Sequence, residues 1–174
     1  MRPVTEGRRR LPVALVCLLL AAGCGYHPLG AGNVPPEVQH LYVAPLKNAT
    51  FRPGLQGLVG AAILRRLQQD SRIHLVAQPI ADAVLAGDLT AYENIPITFD
   101  VNEVGKRFLV RVIFAMQLQD RSGEKVLLKE EISGEAFYTA GATVVETRSA
   151  EDVADQRAAQ DLAGRVMMRL IEGL

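Results

Sequence analysis

The chain has 174 residues, 49% of them apolar and 22% charged, and its 19 basic side chains equal its 19 acidic ones. This length is typical of a single domain, and the composition excludes a disordered chain or a protein with many membrane spans. The charge is uneven, because residues 1–23 carry four arginines against one glutamate, whereas residues 24–174 carry 15 basic and 18 acidic side chains. A mildly acidic body without a basic run argues against nucleic-acid binding.

The amino-terminal segment has the layout of a secretory signal. Arginines at 8–10 precede an apolar run over residues 11–22 that is too short to cross a bilayer, and small residues then lead directly into Cys24. This pattern resembles the lipobox of bacterial lipoproteins, in which the signal is cut before a cysteine whose thiol is diacylated. We therefore predict a signal peptide over residues 1–23 and lipidation of Cys24; the alternative is an ordinary signal peptide with an incidental cysteine. Gly25, in place of the aspartate that resembles an inner-membrane retention signal, favours delivery to the outer membrane.

The segment after the signal predicts a tether followed by one folded body. Residues 24–37 begin with the cysteine and are rich in glycine and proline, which is typical of a linker. The body, residues 38–174, begins with an alternating segment over 38–44 that predicts a strand, and residues 47–50 predict a loop. Apolar residues at helical spacing then predict an amphipathic helix over residues 53–70.

The middle of the chain predicts two further extended segments. Residues 73–76 form a short extended piece, and residues 83–92 predict a second strand with apolar side chains on one face. Residues 93–105 contain Pro96 and several polar side chains, so we expect a loop there.

The clearest strand signal is the alternation over residues 108–118. Its even positions are all apolar: Phe108, Val110, Val112, Phe114, Met116 and Leu118. A strand that places one face on a hydrophobic core has this period of two. Residues 120–125 have turn chemistry, and residues 126–138 return as the second strand of a hairpin.

Apolar residues recur at helical spacing from residue 153 to the carboxyl end. Ser149-x-x-Asp152 resembles a capping box and predicts the start of this helix. The predicted order is therefore β-α-β-β-β-α. Two amphipathic helices and a sheet with one apolar face predict an α+β, two-layer domain, in which a mixed sheet of about four strands carries both helices on one face.

The sequence contains no arrangement that indicates catalysis or a metal site. The three histidines are scattered, and no HExxH, CxxC, calcium-loop, GxSxG or phosphate-loop motif occurs. Ser122 fits a turn and Ser149 a helix cap better than either fits a nucleophile. We therefore predict a binding protein that is not an enzyme and that needs no cofactor or metal.

Short motifs along the whole body resemble the family of the lipopolysaccharide-assembly lipoprotein LptE. The segment Cys24-Gly25-Tyr26-His27-Pro28-Leu29 is similar to the start of the mature chain in that family. Other similar segments follow in the family's order: the strand from Val38 to Pro45, Phe51 and the first helix, Ala83 to Gly87, Tyr92, the Ile95-Pro96-Ile97-Thr98-Phe99-Asp100 segment, Arg107 before the alternating strand, the turn from Asp120 to Gly123, and the terminal helix. The resemblance covers almost all of residues 24–174, and it lies in the order of the motifs and not in any one of them.

The resemblance implies a subunit of the outer-membrane lipopolysaccharide translocon. LptE-like proteins sit inside the lumen of the β-barrel LptD, assist its assembly, plug it and bind lipopolysaccharide. The implied partners are thus an LptD-type barrel, lipopolysaccharide and the outer membrane through the lipid anchor. The implied location is the outer membrane, with the body facing the periplasm or inside the barrel lumen.

Four basic residues are candidates for lipopolysaccharide contact. In the family, basic residues in loops at one end of the sheet contact lipopolysaccharide, whose phosphates suit arginine and lysine. The candidates here are Lys106 and Arg107 at the start of the alternating strand, and Arg121 and Lys125 in the hairpin turn. The alternative for all four is an ordinary solvated turn charge. Arg111 lies mid-strand, where a helix-covered and a barrel-facing position are equally consistent with the pattern.

A second resemblance covers only residues 38–89. The cadence of strand, loop and helix there is also similar to lipoproteins of the LpoB and CsgG type, which activate peptidoglycan synthases or form secretion assemblies. The Pro96 segment, the hairpin and the final helix fit the LptE order better. A periplasmic lipoprotein with a structural role and no ligand is a third alternative.

Overall fold

The computed structural model describes residues 39–101 and 104–172. The strands in this part of the chain are β1 (His40–Val43), β2 (Lys47–Asn48), β3 (His74–Leu75), β4 (Ala83–Phe99), β5 (Gly105–Asp120) and β6 (Val126–Thr139). The helices are α1 (Leu55–Gln68) and α2 (Val144–Glu172), and a 3₁₀ turn spans Gln78–Ile80. The predicted signal peptide over residues 1–23, the lipidated Cys24 and the tether over residues 24–37 lie outside the described residues.

The strands form one mixed sheet in the order β3-β1-β4-β5-β6, and β2 also pairs with β4. The short strands are parallel to their neighbours, whereas β4, β5 and β6 form a long antiparallel meander. We call the end of the sheet where β4 leads into β5 the hairpin end, and the end where β5 turns into β6 the turn end. The hairpin turn predicted from the sequence at residues 120–125 therefore lies at the turn end, opposite the hairpin end. The chain enters β1 at the turn end, because Leu41 pairs with Ala83 and Ala83 with Asp120.

Both helices cover the same face of the sheet. The even positions of β5 from Val110 to Leu118 are buried, which confirms the predicted core face of this strand. Leu85 and Leu89 of β4 join the same core as the apolar stripes of α1 and α2. At Gly134 of β6 a Cβ atom would collide with the backbone of α2, so only glycine lets the helix pack this closely on the sheet.

The predicted fold class is confirmed, with a sheet of six strands in place of about four. The prediction of a loop over residues 47–50 was wrong at its start, because Lys47 and Asn48 pair in parallel with Asp88 and Leu89 of β4. A two-residue strand has no periodic pattern of its own. It exists because β4 offers an unpaired edge beside it, and that edge is visible only in the folded sheet.

The prediction of a loop over residues 93–105 was also wrong. β4 continues to Phe99 and β5 begins at Gly105, so only a short turn joins them. Within the described chain, the part of β4 beyond Leu89 is paired with β5 alone. Proline lacks an N–H group, and an edge strand tolerates it where no second neighbour needs that donor. Pro96 therefore sits inside a strand that the sequence pattern had ended early.

The last helix begins at Val144, before the predicted cap at Ser149. The capping box is Thr143-x-x-Glu146: the Glu146 N–H donates to the Thr143 hydroxyl (3.2 Å), and the Thr143 N–H donates to the Glu146 carboxylate (3.1 Å). This reciprocal pair satisfies two donors that the first turn leaves unbonded. Ser149 and Asp152 instead lie within the second and third turns of α2.

Candidate functional site

An apolar row crosses the open face of the sheet near the hairpin end. The open face is the one that neither helix covers in the described part of the chain. The strand register places Ile95 of β4, Leu109 of β5 and Phe137 of β6 side by side, and we call these three residues the apolar row. Ile95 and Phe137 are exposed, and between them Leu109 is only 9% exposed. Ile97 and Phe99, further along β4, are exposed as well. A contiguous exposed apolar patch is typical of a binding surface, unlike a single exposed side chain.

Two of the four predicted site residues lie at the hairpin end, and one of them, Arg107, contacts the apolar row. The guanidinium carbon of Arg107 is 4.9 Å from the centre of the Phe137 ring, and Lys106 Nζ is 3.6 Å from Asp100 Oδ2. The aromatic face attracts the guanidinium and holds it at the edge of the row. Arginine and lysine are also the side chains that bind phosphate groups. The hairpin end therefore combines cations with exposed apolar surface, which suits an anionic amphiphile.

The other two predicted site residues lie at the turn end. Arg121 Nη2 donates to the Pro79 carbonyl at 2.9 Å, and the turn is closed by the Asp120 carboxylate, which accepts the Ser122 hydroxyl and the Lys125 N–H. At about 3.3 Å per residue, β5 places this turn about 45 Å from Arg107. The structure thus brings the four candidates together as two separate pairs, so one ligand headgroup cannot touch all four.

Arg111 lies on the open face, in the middle of a charged row. It donates to Glu135 Oε1 at 2.7 Å and to Glu93 Oε2 at 3.1 Å, and the register aligns all three residues across β4, β5 and β6. The hydrogen bond that Arg111 donates to Glu135, followed by the charge of that carboxylate, raises the pKa of the Arg111 guanidinium. The two carboxylates form ion pairs with this guanidinium within the sheet, so Arg111 is poorly suited to bind an anionic ligand.

A buried ionic cluster, which the sequence reasoning missed, joins a loop, the sheet and α2. Arg52 Nε and Nη2 donate to Asp155 Oδ2 at 2.9 and 2.6 Å, and the same guanidinium contacts Glu151 and Asp152 at 3.3 and 2.9 Å. Tyr92 of β4 donates its hydroxyl to Asp155 Oδ1 at 2.8 Å. Glu151 and Asp155 lie one turn apart on α2, and Asp152 adjoins Glu151. This spacing of acids, together with Arg52 before a proline, was the available signal in the sequence.

Burial sets the titration of this cluster. Asp155 is only 5% exposed, and its burial raises the pKa of the carboxyl although Tyr92 and Arg52 bond to the charged form. Burial, followed by the hydrogen bond to Asp155, also raises the pKa of the Tyr92 hydroxyl, which stays protonated. The cluster is therefore a structural clasp, in which Arg52 compensates the buried carboxylate of Asp155.

The sequence model of the family described as LptE, lipopolysaccharide-assembly, matches residues 38–170. The chain belongs to the LptE family. The match confirms the family resemblance drawn from the sequence, and it extends beyond residue 89, where the resemblance to LpoB and CsgG-type lipoproteins ends. It includes the hairpin end, the turn end and most of α2, and therefore both pairs of predicted site residues.

Several solved lipoprotein structures share the fold of this LptE-family chain. A minor lipoprotein from Acinetobacter baumannii has 16% identity and a TM-score of 0.56, covering 78% of this chain and 94% of that one. Lipoprotein B from Nitrosomonas europaea has 12% identity and a TM-score of 0.57, covering 77% and 83%. The rare lipoprotein B from Shewanella oneidensis has 11% identity and a TM-score of 0.51, covering 72% and 92%. Among curated protein sequences, none matches this chain.

The LptE family is non-enzymatic in kind. Among the described residues, no three histidine, cysteine or acidic side chains converge where they could hold a metal ion. Neither described helix is both long and apolar enough to span a membrane. Family membership implies an outer-membrane lipoprotein that associates with LptD and lipopolysaccharide.

Proposed function

We propose that this chain is an outer-membrane lipoprotein that binds lipopolysaccharide and occupies the lumen of an LptD-type β-barrel. In this role it is held in the membrane by acylated Cys24, assists assembly of the barrel, plugs it and helps deliver lipopolysaccharide to the outer leaflet. The observation that carries the proposal is the LptE-family match over residues 38–170. The action is binding and positioning, without a chemical step.

The hairpin end supports lipopolysaccharide binding. Lipopolysaccharide is an amphiphile that combines phosphate groups with acyl chains. Arg107 and Lys106 supply cations for the phosphates, and the apolar row with Phe99 supplies a surface for acyl chains. The turn end offers Arg121 and Lys125 with Val126 and Ile80 exposed nearby, but the strand register there aligns Val126 with Gln119, so no row of three apolar side chains crosses the sheet at that point. We therefore assign the lipid contact to Lys106 and Arg107 and treat the turn pair as the alternative site.

The surface and length of the domain support a place inside a barrel. Charges on its open face are paired across strands, as in the row of Glu93, Arg111 and Glu135, and such a polar surface suits the polar interior of a large barrel. β5 has 16 residues and is about 50 Å long, and a bilayer with its headgroups is about 40–45 Å thick. The domain is therefore long enough to extend through the membrane within such a barrel.

Two measurements test the proposal. The tagged, acylated protein is recovered from its own outer membranes in mild detergent, and the expected partner is one stoichiometric barrel of the LptD type. Recovery of a peptidoglycan synthase, or of a ring of the lipoprotein itself, would instead support the LpoB or CsgG type. The anchor is tested by Cys24→Ala, which we expect to release the protein from outer membranes that lack the barrel.

Lipopolysaccharide binding is then compared between two matched double variants. Lys106→Glu with Arg107→Glu should weaken binding at least about tenfold, because it reverses two charges at the hairpin end, one of them beside the apolar row. Arg121→Glu with Lys125→Glu changes the same charge about 45 Å away and should leave binding within about twofold. Both variants should melt like the parent, since exposed charges contribute little to stability. The opposite ranking would move the site to the turn end.

A further inference from the structure

A fully exposed phenylalanine stands on a loop that hydrogen bonds hold in place. Phe51 is completely accessible to solvent. The side chain of Asn48 closes the loop around it: its Oδ1 accepts the Thr50 N–H and hydroxyl (3.0 and 2.7 Å), and its Nδ2 donates to the Arg52 carbonyl (2.8 Å). Gly54 ends the loop with φ at +78°, a conformation that favours glycine. The loop therefore holds an aromatic side chain out in water.

The ionic cluster fixes this loop to α2. The guanidinium of Arg52, the residue after Phe51, reaches three acids of the helix and is only 17% exposed. A loose loop would let Phe51 fold back onto the protein and bury part of its ring. The contacts of Arg52 with α2 oppose such a movement of the loop, so the Phe51 ring is preorganised for contact with a binding partner. Preorganisation of this kind lowers the entropic cost of binding.

Two adjoining depressions lie beside the Arg52 clasp on the helix layer, and half-buried Leu58 and two exposed valines line them. A depression lined by Arg52, Leu58 and Arg148 adjoins a second one lined by Val144, Val145 and Arg148. The two valines are largely exposed, although they occupy the first turn of α2. Together these residues form what we call the loop–helix surface: Phe51, Leu58, Val144, Val145 and Arg148.

The charges on this surface indicate what fits it. Glu151 and Asp155 are already bonded to Arg52, and Asp152 shares the same guanidinium. Arg148 is exposed between the two depressions, and no ion pair joins it to another described residue. The surface thus presents Arg148, without an ion pair to a described residue, among apolar side chains and next to Asp152, whose carboxylate is held by Arg52. A complementary partner carries an apolar side chain for Phe51 and a carboxylate for Arg148.

We propose that the loop–helix surface is the docking site for a segment of the partner barrel that carries an apolar residue beside a carboxylate. This assignment rests on the proposed function, which supplies the barrel as the partner. An aromatic side chain flanked by an arginine is the composition typical of interface hot spots. The surface lies on the helix layer, whereas Arg107 and the apolar row lie on the open face, so protein docking and lipid binding are separable.

The experiment uses the full acylated chain in its own outer membranes. A photo-crosslinking amino acid is placed at position 51 or 145, and as the control at Ile80, which is 64% exposed at the turn end. We expect covalent adducts with the barrel from positions 51 and 145 in much higher yield than from position 80, because a domain inside the lumen contacts the wall elsewhere without docking there. In parallel, Phe51→Asp and Arg148→Glu should each weaken capture of the barrel at least about 30-fold, as loss of a hot spot does. Ile80→Asp and Arg157→Glu are the matched controls and should leave capture unchanged.

The outcomes separate this inference from the proposed function. Each variant is first shown to melt like the parent and to bind lipopolysaccharide normally. If the barrel is captured as before by Phe51→Asp and Arg148→Glu, and positions 51 and 145 give no barrel adduct, the docking site is overturned while the translocon role stands. Adducts with lipid or with a second copy of the chain also overturn it. If the parent protein captures no barrel, both the role and the docking site fall.

Discussion

Replacing Arg52 by alanine tests the clasp between the loop, the sheet and α2. The change removes two hydrogen bonds, of 2.6 and 2.9 Å, from Asp155, a carboxylate that is 5% exposed. Removing one partner of a buried ion pair costs about 3–5 kcal/mol. Arg52 is 17% exposed, and the Tyr92 hydroxyl keeps its bond to Asp155, so the loss should lie near the lower bound. We expect Arg52→Ala to lower the free energy of unfolding by about 3 kcal/mol.

Urea denaturation at pH 7 measures this loss, and a double-mutant cycle assigns it to the pair. Asp155→Asn in the Arg52→Ala background should recover part of the stability, because it removes the uncompensated charge. Asp152→Asn is the control: its side chain is 56% exposed, so we expect a change below about 0.5 kcal/mol. A loss below about 1 kcal/mol for Arg52→Ala, or an equal loss for Asp152→Asn, would refute the assignment.

Two further predictions concern packing and pH. A Cβ at Gly134 would overlap the Ala158 carbonyl and the Leu162 backbone, so Gly134→Ala should lower the unfolding free energy by about 3 kcal/mol. Gly164→Ala, with open space around it, should be neutral or slightly stabilising in the same melts, and equal losses would contradict the packing. The Arg72 hydrogen bond lowers the pKa of Asp70 from 3.8 to about 2. The stabilisation from this hydrogen bond is present above pH 3.8 and is lost as the pH falls through about 2. After a discount for solvent screening it is about 1 kcal/mol at pH 7. Urea midpoints measured against pH should show this loss for the parent protein and lack it for Asp70→Asn.

Local sequence patterns predicted the elements whose signal lies within their own residues. The alternation of β5 identified its core face from Val110 to Leu118, because one side of the strand packs on both helices. Elements that depend on neighbours were missed. β2 exists through its pairing with β4, and Pro96 is accommodated because β4 is an edge strand there. The start of α2 was misplaced because two capping boxes compete in the sequence and only Thr143 precedes the first turn.

The candidate site depended on register, which composition does not reveal. The apolar row aligns residues 95, 109 and 137, and the shift of register beyond Leu89 of β4 decides which of its side chains reach the open face. A bulge of this kind moves all following side chains of a strand to the other face. The clasp likewise joins Arg52 to Asp155, 103 residues away. The two basic pairs, at either end of β5, could be selected from the sequence, but the apolar row beside Arg107 required the fold.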